Sequence, residues 1–169
     1  MQFQVGQLLK EPVGSRITEE IDLGPYQLTD DLFVDGIRGK LQLVHVHNHI
    51  LVHGKILVDV TLECIRCLAP VKHTLEVELQ ERFRPPPIHD SSSEQIFPIG
   101  NEGYIDLGPV LRELIIVGIP MHVLCRPDCK GLCSECGQNL NTAPCECQPD
   151  TIDSRLAVLQ TLMGRDEDE

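Results

Sequence analysis

Aromatic side chains are scarce in this sequence: Phe, Tyr and Trp make up 4% of it, and Trp is absent. Any core must therefore be assembled from Val, Ile and Leu. Basic residues are also few, 14 Lys and Arg against 26 Asp and Glu, for a formal net charge of −12. Proteins that grip phosphate backbones need the opposite balance, because Lys and Arg release the counterions that drive that binding. The composition thus argues against broad nucleic-acid binding by the chain alone and favours a basic partner. The acid is uneven: residues 1–84 carry nine Lys/Arg against twelve Asp/Glu, residues 85–169 five against fourteen. No stretch of eighteen apolar residues exists, so no membrane-spanning helix is expected. The opening MQFQVGQLLKEPVG lacks the apolar run and cleavage site of a signal peptide, and the cytoplasm is the expected compartment. There is no GxSxG, Walker loop, GxGxxG or HExxH, so these enzyme classes find no support.

What is present reads as an α+β chain of 169 residues, a length suited to one integrated domain. Leu32 to Cys64 reads as strand. In KILVDVTLEC, Ile56, Val58, Val60, Leu62 and Cys64 alternate with Lys55, Asp59, Thr61 and Glu63, the two-residue period of a half-buried strand. GIRGKLQLVHVH supplies a strand before it and VKHTLEVELQERF one after, with a turn at His47-Asn48-His49 where Asn tolerates the left-handed conformation. An antiparallel meander, or partly closed barrel, is expected over residues 1–83. Residues 84–104 form a connection whose RPPPIHDSSSEQ cannot sustain a ladder. From 105 to 164 two helices are expected to flank a cysteine-rich segment, followed by an acidic tail at 165–169. The first helix has Asp106 as cap, Pro109 in its first turn and a stripe of Leu107, Val110, Leu111, Leu114 and Ile115, ending at Gly118 and Pro120. The second opens at Asp150 or Thr151 and aligns Ile152, Leu156, Leu159 and Met163.

Between the helices, CRPDCKGLCSECGQNLNTAPCEC places Cys125, Cys129, Cys133, Cys136, Cys145 and Cys147 within 23 residues. A reducing compartment disfavours disulfides, and the segment is too rich in Gly, Asn and Pro to build its own apolar core. Cys133-Ser-Glu-Cys136-Gly137 has the form of a zinc knuckle: two intervening residues let a tight turn present both sulfurs to one ion, and the glycine frees the backbone behind them. Zinc suits thiolates, being borderline-soft and redox-inert. Cys133, Cys136, Cys145 and Cys147 are the preferred four ligands. Cys64 and Cys67 form a second thiol pair. It is either free, with one zinc at the C-terminal cluster as the favoured arrangement, or joined with Cys125 and Cys129 in a second site. A thioredoxin-type role for Cys64 and Cys67 would require a helix after a parallel strand, which the antiparallel pattern does not offer. His45, His47, His49 and His53 fit the turn and solvent face of a hairpin better than a metal site, and His122 is a weak substitute ligand.

Together the pieces GKILVDVTLECIRCLAPV, YIDLGPVLRELIIVGIPMHVLC, CKGLCSECGQNLN and the final CEC resemble the YceD family, the large ribosomal RNA subunit accumulation proteins. FQVGQLLKEPVGS fits the same pattern, so the resemblance covers nearly the whole chain. Cys64, Arg66, Cys67, Leu68 and Pro70 match one family motif; Cys129, Lys130, Gly131, Leu132, Cys133, Cys136 and Gly137 match the other. The resemblance implies a bacterial or organellar, non-enzymatic factor in large-subunit biogenesis. The acidic balance adds a basic ribosomal protein or a precursor of the large subunit as expected partner. A thiol redox protein and a direct RNA-binding zinc module are the alternatives.

Overall fold

The computed structural model describes residues 1–86, 96–100 and 102–147. The helix expected over 150–164, the acidic tail 165–169 and most of the Pro/Ser-rich loop lie outside the described residues. Two compact units divide the chain: a sheet unit of Met1–Glu63 with Pro70–Val123, and a cysteine unit of Cys64–Ala69 with the chain from Leu124 onward.

The sheet unit runs β1 (Gln2–Gln4), a 3-10 turn (Leu8–Lys10), β2 (Arg16–Leu23), β3 (Tyr26–Thr29), β4 (Leu32–Val34), β5 (Gly36–Val46), β6 (His49–Glu63), β7 (Pro70–Arg84), β8 (Ile96–Pro98), β9 (Tyr104–Asp106) and α1 (Gly108–Gly118). One five-stranded sheet has the order β2-β5-β6-β7-β8, while β1 pairs with β9 and β3 with β4. The class is α+β and strand-dominated, with α1 the one α-helix among the described residues. The expected meander is β5-β6-β7, antiparallel throughout. β8 departs from it by pairing parallel to β7, and the expected barrel is a curled, open half-barrel with β2 and β8 as edges.

Alternation explains why these segments are strands. Ile37, Leu41 and Leu43 of β5, Ile50, Val52, Ile56, Val58 and Val60 of β6, and Leu75, Val77, Leu79 and Phe83 of β7 are all buried. Residues of opposite parity, such as Lys55, Leu57 and Glu76, face outward. Two long strands can curl only where side chains step aside. At Gly39 (φ 155°) an added Cβ would sit 2.5 Å from the Lys55 carbonyl oxygen, and at Gly54 (φ 157°) it would run into the Lys40 carbonyl. Glycine is needed at both for backbone approach and conformation.

The β5–β6 turn has two residues between paired Val46 and His49. Its left-handed residue is His47 (φ 52°), next to the Asn expected in that role. His45 corrects the reading of the histidines as turn and solvent face. It shares parity with Leu41 and Leu43, so it is buried, and its Nδ1 lies 2.8 Å from the Glu11 carbonyl oxygen.

α1 forms much as the sequence suggests. Val110, Leu111 and Ile115 are buried, Leu114 packs against the core from a half-buried position, and the helix lies against β7. Pro109 occupies the first turn, and Leu107, at the cap position, already has helical backbone angles (φ −85°, ψ −9°). Asp106 nevertheless supplies the capping oxygen: its Oδ1 accepts the Gly108 N–H at 2.9 Å, satisfying a donor the helix leaves open. No helix among the described residues is long and apolar enough to cross a membrane.

Candidate metal centres

All eight cysteines fall in the cysteine unit, and their sulfurs gather into two sets of four. Cys64, Cys67, Cys125 and Cys129 make the first group; Cys133, Cys136, Cys145 and Cys147 make the second, which contains the four preferred from spacing. Within each group the sulfurs lie within 4.8 Å of one another, so either could hold a metal ion. Cys64 and Cys67, favoured from the sequence as free thiols, stand beside Cys125 and Cys129, the alternative grouping. Six sulfurs in one segment are two more than a tetrahedral ion takes, and the surplus pair, Cys125 and Cys129, finds its complement in the connection between β6 and β7.

Both groups are built on the same backbone device. In the first, the Leu68 N–H donates to the Cys64 carbonyl at 2.9 Å and the Cys64 N–H to the Ala69 carbonyl at 2.9 Å. In the second, the Gly137 N–H donates to the Cys133 carbonyl at 3.0 Å and the Cys133 N–H to the Gln138 carbonyl at 2.8 Å. The residue after the second cysteine is left-handed in both, Leu68 at φ 57° and Gly137 at φ 71°. A leucine there costs about 1–2 kcal/mol of backbone strain, which the glycine avoids. Leu68 is also 59% exposed, so burial of its side chain does not explain its presence.

The first group fits a tetrahedral thiolate site by distance. Cys64 Sγ lies 3.9 Å from Cys129 Sγ, and Cys67 Sγ 3.6 Å from Cys125 Sγ. Metal–sulfur bonds of ~2.3 Å around a tetrahedron give sulfur–sulfur edges of about 3.8 Å. Cys64 and Cys67 also lie within 4.8 Å of each other, so all four sulfurs surround one point, as ligation requires.

Electrostatics in each group divide the sulfurs. Burial opposes ionisation of Cys64, but the backbone N–H groups of Cys125, Arg66 and Cys67 point at its sulfur and bring the thiol down to about 6. Cys129 is likewise lowered: burial opposes, while the Asn141 side-chain amide and the Gly131 N–H donate to it. Its neighbours take up the proton, with Cys125 pushed up to about 12 chiefly by Cys67. In the second group the Cys136 and Glu135 N–H groups lower Cys133 to about 7, and Cys136 pushes Cys147 up to about 12. Each group thus contains at least one stabilised thiolate and at least one held proton, a set that a dication completes by displacing protons. Cys64 has a depressed thiol but is 0% exposed, which denies it the access a redox cysteine needs.

The motif residues have structural duties. Arg66 donates from Nη1 to the Cys129 carbonyl at 2.8 Å, and its own carbonyl accepts the Leu132 N–H at 3.1 Å. Gly131, at φ 78°, passes so close that a Cβ would stand 3.1 Å from the Arg66 carbonyl oxygen. Pro70 opens β7 opposite Glu63, a strand position that tolerates its missing N–H. Neither group includes His122 or a member of the 45–53 histidine run. Sequence reasoning passed over Asn139 and Asn141, whose side chains organise the loop between Cys136 and Cys145. Two asparagines spaced i, i+2 between ligand cysteines were the available signal.

A half-barrel sheet unit, and a unit whose buried hydrophobic side chains among the described residues are cysteines, define an α+β protein with two four-cysteine groups that could each hold a metal ion. The chain belongs to the YceD family: the family model described as large ribosomal RNA subunit accumulation protein YceD matches residues 52–163, more than half of it. The uncharacterized protein Rv2926c of Mycobacterium tuberculosis is 32% identical over 130 residues, 76% of this chain and 62% of the relative. The uncharacterized protein YlbN of Bacillus subtilis is 27% identical over 111 residues, 65% of this chain and 64% of the relative. The maize chloroplastic large ribosomal RNA subunit accumulation protein YCED homolog 1 is 43% identical over 49 residues, 28% of this chain and 17% of the relative. The chain therefore spans less than two thirds of the length of the mycobacterial relatives it matches. No solved structure matches it.

Proposed function

We propose that this chain is a non-enzymatic accessory factor for accumulation of large-subunit ribosomal RNA, acting in the cytoplasm through a basic ribosomal protein or a precursor of the large subunit. Two zinc ions, one per four-cysteine group, are its structural cofactors. The observation that carries the reading is that all eight sulfurs gather into two sets of four, each of which could hold one metal ion. A four-thiolate site has no open position for water or substrate, and no thiol remains for redox work. The maize and Arabidopsis relatives, large ribosomal RNA subunit accumulation proteins by name, support the process. The net charge of −12 supports a cationic protein partner. Zinc is preferred over iron because the proposed role is architectural, and elemental analysis separates the two.

The test is affinity capture of the tagged chain from cells at moderate salt. A large-subunit protein or precursor RNA is expected to come down with it, and loss of the gene to lower large-subunit RNA relative to small-subunit RNA. Capture of neither species, with an unchanged RNA ratio, would remove the proposal. One observation favours direct RNA contact as a second reading: Arg66, Arg126 and Lys130, all the Lys and Arg of residues 64–69 and 124–147, lie around Cys129 and Asn141. RNase-sensitive capture, and filter-binding affinity that falls steeply with salt, would select it.

A further inference from the structure

Asn141 belongs by chain position to the second group, in the eight-residue loop between Cys136 and Cys145, yet its side chain serves the first. Its Nδ2 donates to Cys129 Sγ at 3.3 Å. Its Oδ1 accepts the Lys130 N–H at 2.9 Å and Arg126 Nη2 at 2.7 Å. A backbone N–H can only donate, so Lys130 fixes which end of the amide is oxygen and leaves the nitrogen to face sulfur. Resting on the reading that both groups hold zinc, we propose that the two ions bind cooperatively, with Asn141 as the positioning residue that joins them.

A bland account would make Asn141 a turn residue satisfying its own loop. Asn139 already does that work. Its Oδ1 accepts both the Asn141 N–H at 3.0 Å and one Asn141 Nδ2 hydrogen at 2.9 Å, and its carbonyl accepts the Thr142 N–H and hydroxyl at 3.1 and 2.8 Å. The second Nδ2 hydrogen and the oxygen of the Asn141 amide reach beyond the loop, to a ligand of the other group and to Lys130 and Arg126 beside it.

The loop has little else to hold it. No side chain from Gly137 to Pro144 is buried, and its ends are fixed by Cys136 and Cys145. Its backbone is tied to the segment just before Cys133: the Leu140 N–H donates to the Gly131 carbonyl at 3.0 Å, and Asn139 forms a β-bridge with Leu132. Emptying the second group frees Cys133, Cys136 and Cys145 and so loosens the frame that aims Asn141. Cys129 then loses a donor that stabilises its thiolate, and the first group loses an outer partner of the kind typically worth 10–100-fold in metal affinity. Coupling of binding is reciprocal, so a filled first group also favours the second.

The experiment uses the full reduced chain, with zinc release to a chromogenic chelator as readout. The wild type is expected to release two ions per chain. Asn141→Ala, which removes no ligand, is expected to hold two ions, one of them 10–100-fold weaker. Cys145→Ser is expected to hold one ion weakened to the same degree, and adding Asn141→Ala to it to cost nothing more, since both act on one contact. With cobalt(II) in place of zinc, Asn141→Ala is expected to move the first group's sulfur-to-metal charge-transfer band to lower energy, because a hydrogen bond to sulfur holds its electrons more tightly. A purely structural asparagine would leave that band in place.

Unchanged release and an unchanged cobalt band in Asn141→Ala would overturn the coupling while leaving the zinc reading intact. A wild-type chain that binds no zinc would instead defeat the zinc reading itself. Should Cys145→Ser retain no ion, Asn141→Ala decides.

Discussion

With a zinc ion in each four-cysteine group, as proposed, stripping the metal is expected to unfold the cysteine unit and leave the sheet unit in place. The magnitude follows from what each unit buries. The sheet unit buries Ile37, Leu41, Ile50, Ile56, Leu79, Phe83, Leu111 and Ile115, among others. Among the described residues of the cysteine unit, the buried hydrophobic side chains are Cys64, Cys67 and Cys129, with no Val, Leu or Ile. Half-buried Leu124, Leu132 and Leu140 offset little of the entropy of ordering these described residues, whereas a structural zinc supplies on the order of 10–16 kcal/mol per site. Hydrogen exchange followed by mass spectrometry, with and without a strong chelator, reads the outcome. Amides held by knuckle bonds, those of Leu68, Leu132, Cys133, Gly137 and Leu140, are expected to lose protection entirely. Amides of β5, β6 and β7 are expected to keep opening free energies on the order of the global stability, about 5–15 kcal/mol. Cys133→Ser or Cys136→Ser is expected to show the same localisation. The reasoning is refuted if the knuckle amides stay slow after chelation, or if β6 and β7 lose protection alongside them.

Four further outcomes are expected. Leu111→Ala, at a fully buried helix position, costs about 2–5 kcal/mol in urea unfolding without altering metal content; a loss below 1 kcal/mol would contradict the assigned core. Gly39→Ala lowers the melting temperature by the equivalent of ~2 kcal/mol or more, because its Cβ would stand 2.5 Å and 2.8 Å from backbone atoms of Lys55 and Ile56. Gly137→Ala meets no atom within 4 Å, so its cost is conformational, about 1 kcal/mol, and appears as weaker metal binding that is greatest at the second group. Zinc added to the metal-free chain in weak buffer acidifies the solution. With the cysteine unit unfolded its thiols return to the ordinary range of about 8–9, mostly protonated at neutral pH, and only thiolate binds metal. Affinity therefore falls as pH falls, and a pH-independent titration would contradict these assignments.

The central strands and α1 were legible because their signals are periodic and local. Ile56, Val58 and Val60 announce a buried face wherever they occur, and Asp106 with Pro109 marks a helix start. His45 was misread because a histidine run suggests a surface, yet its odd-numbered parity with Leu41 and Leu43 places it inward. β8 was invisible, being three residues long and paired in parallel across the Pro/Ser-rich loop. The second four-cysteine group could be read from one contiguous segment. Membership of the first could be posed but not chosen, because Cys64 and Cys125 are brought together by tertiary structure rather than by spacing. Asn141 was missed for a related reason: its contact is with a cysteine outside its own loop.

Metal content per chain tests the account most directly. Elemental analysis of the reduced, purified protein is expected to give two zinc ions, falling to one in the Cys64→Ser/Cys67→Ser double variant and to one or fewer in Cys133→Ser/Cys136→Ser. Metal-free protein that keeps slow exchange at the Leu132 and Gly137 amides would contradict it.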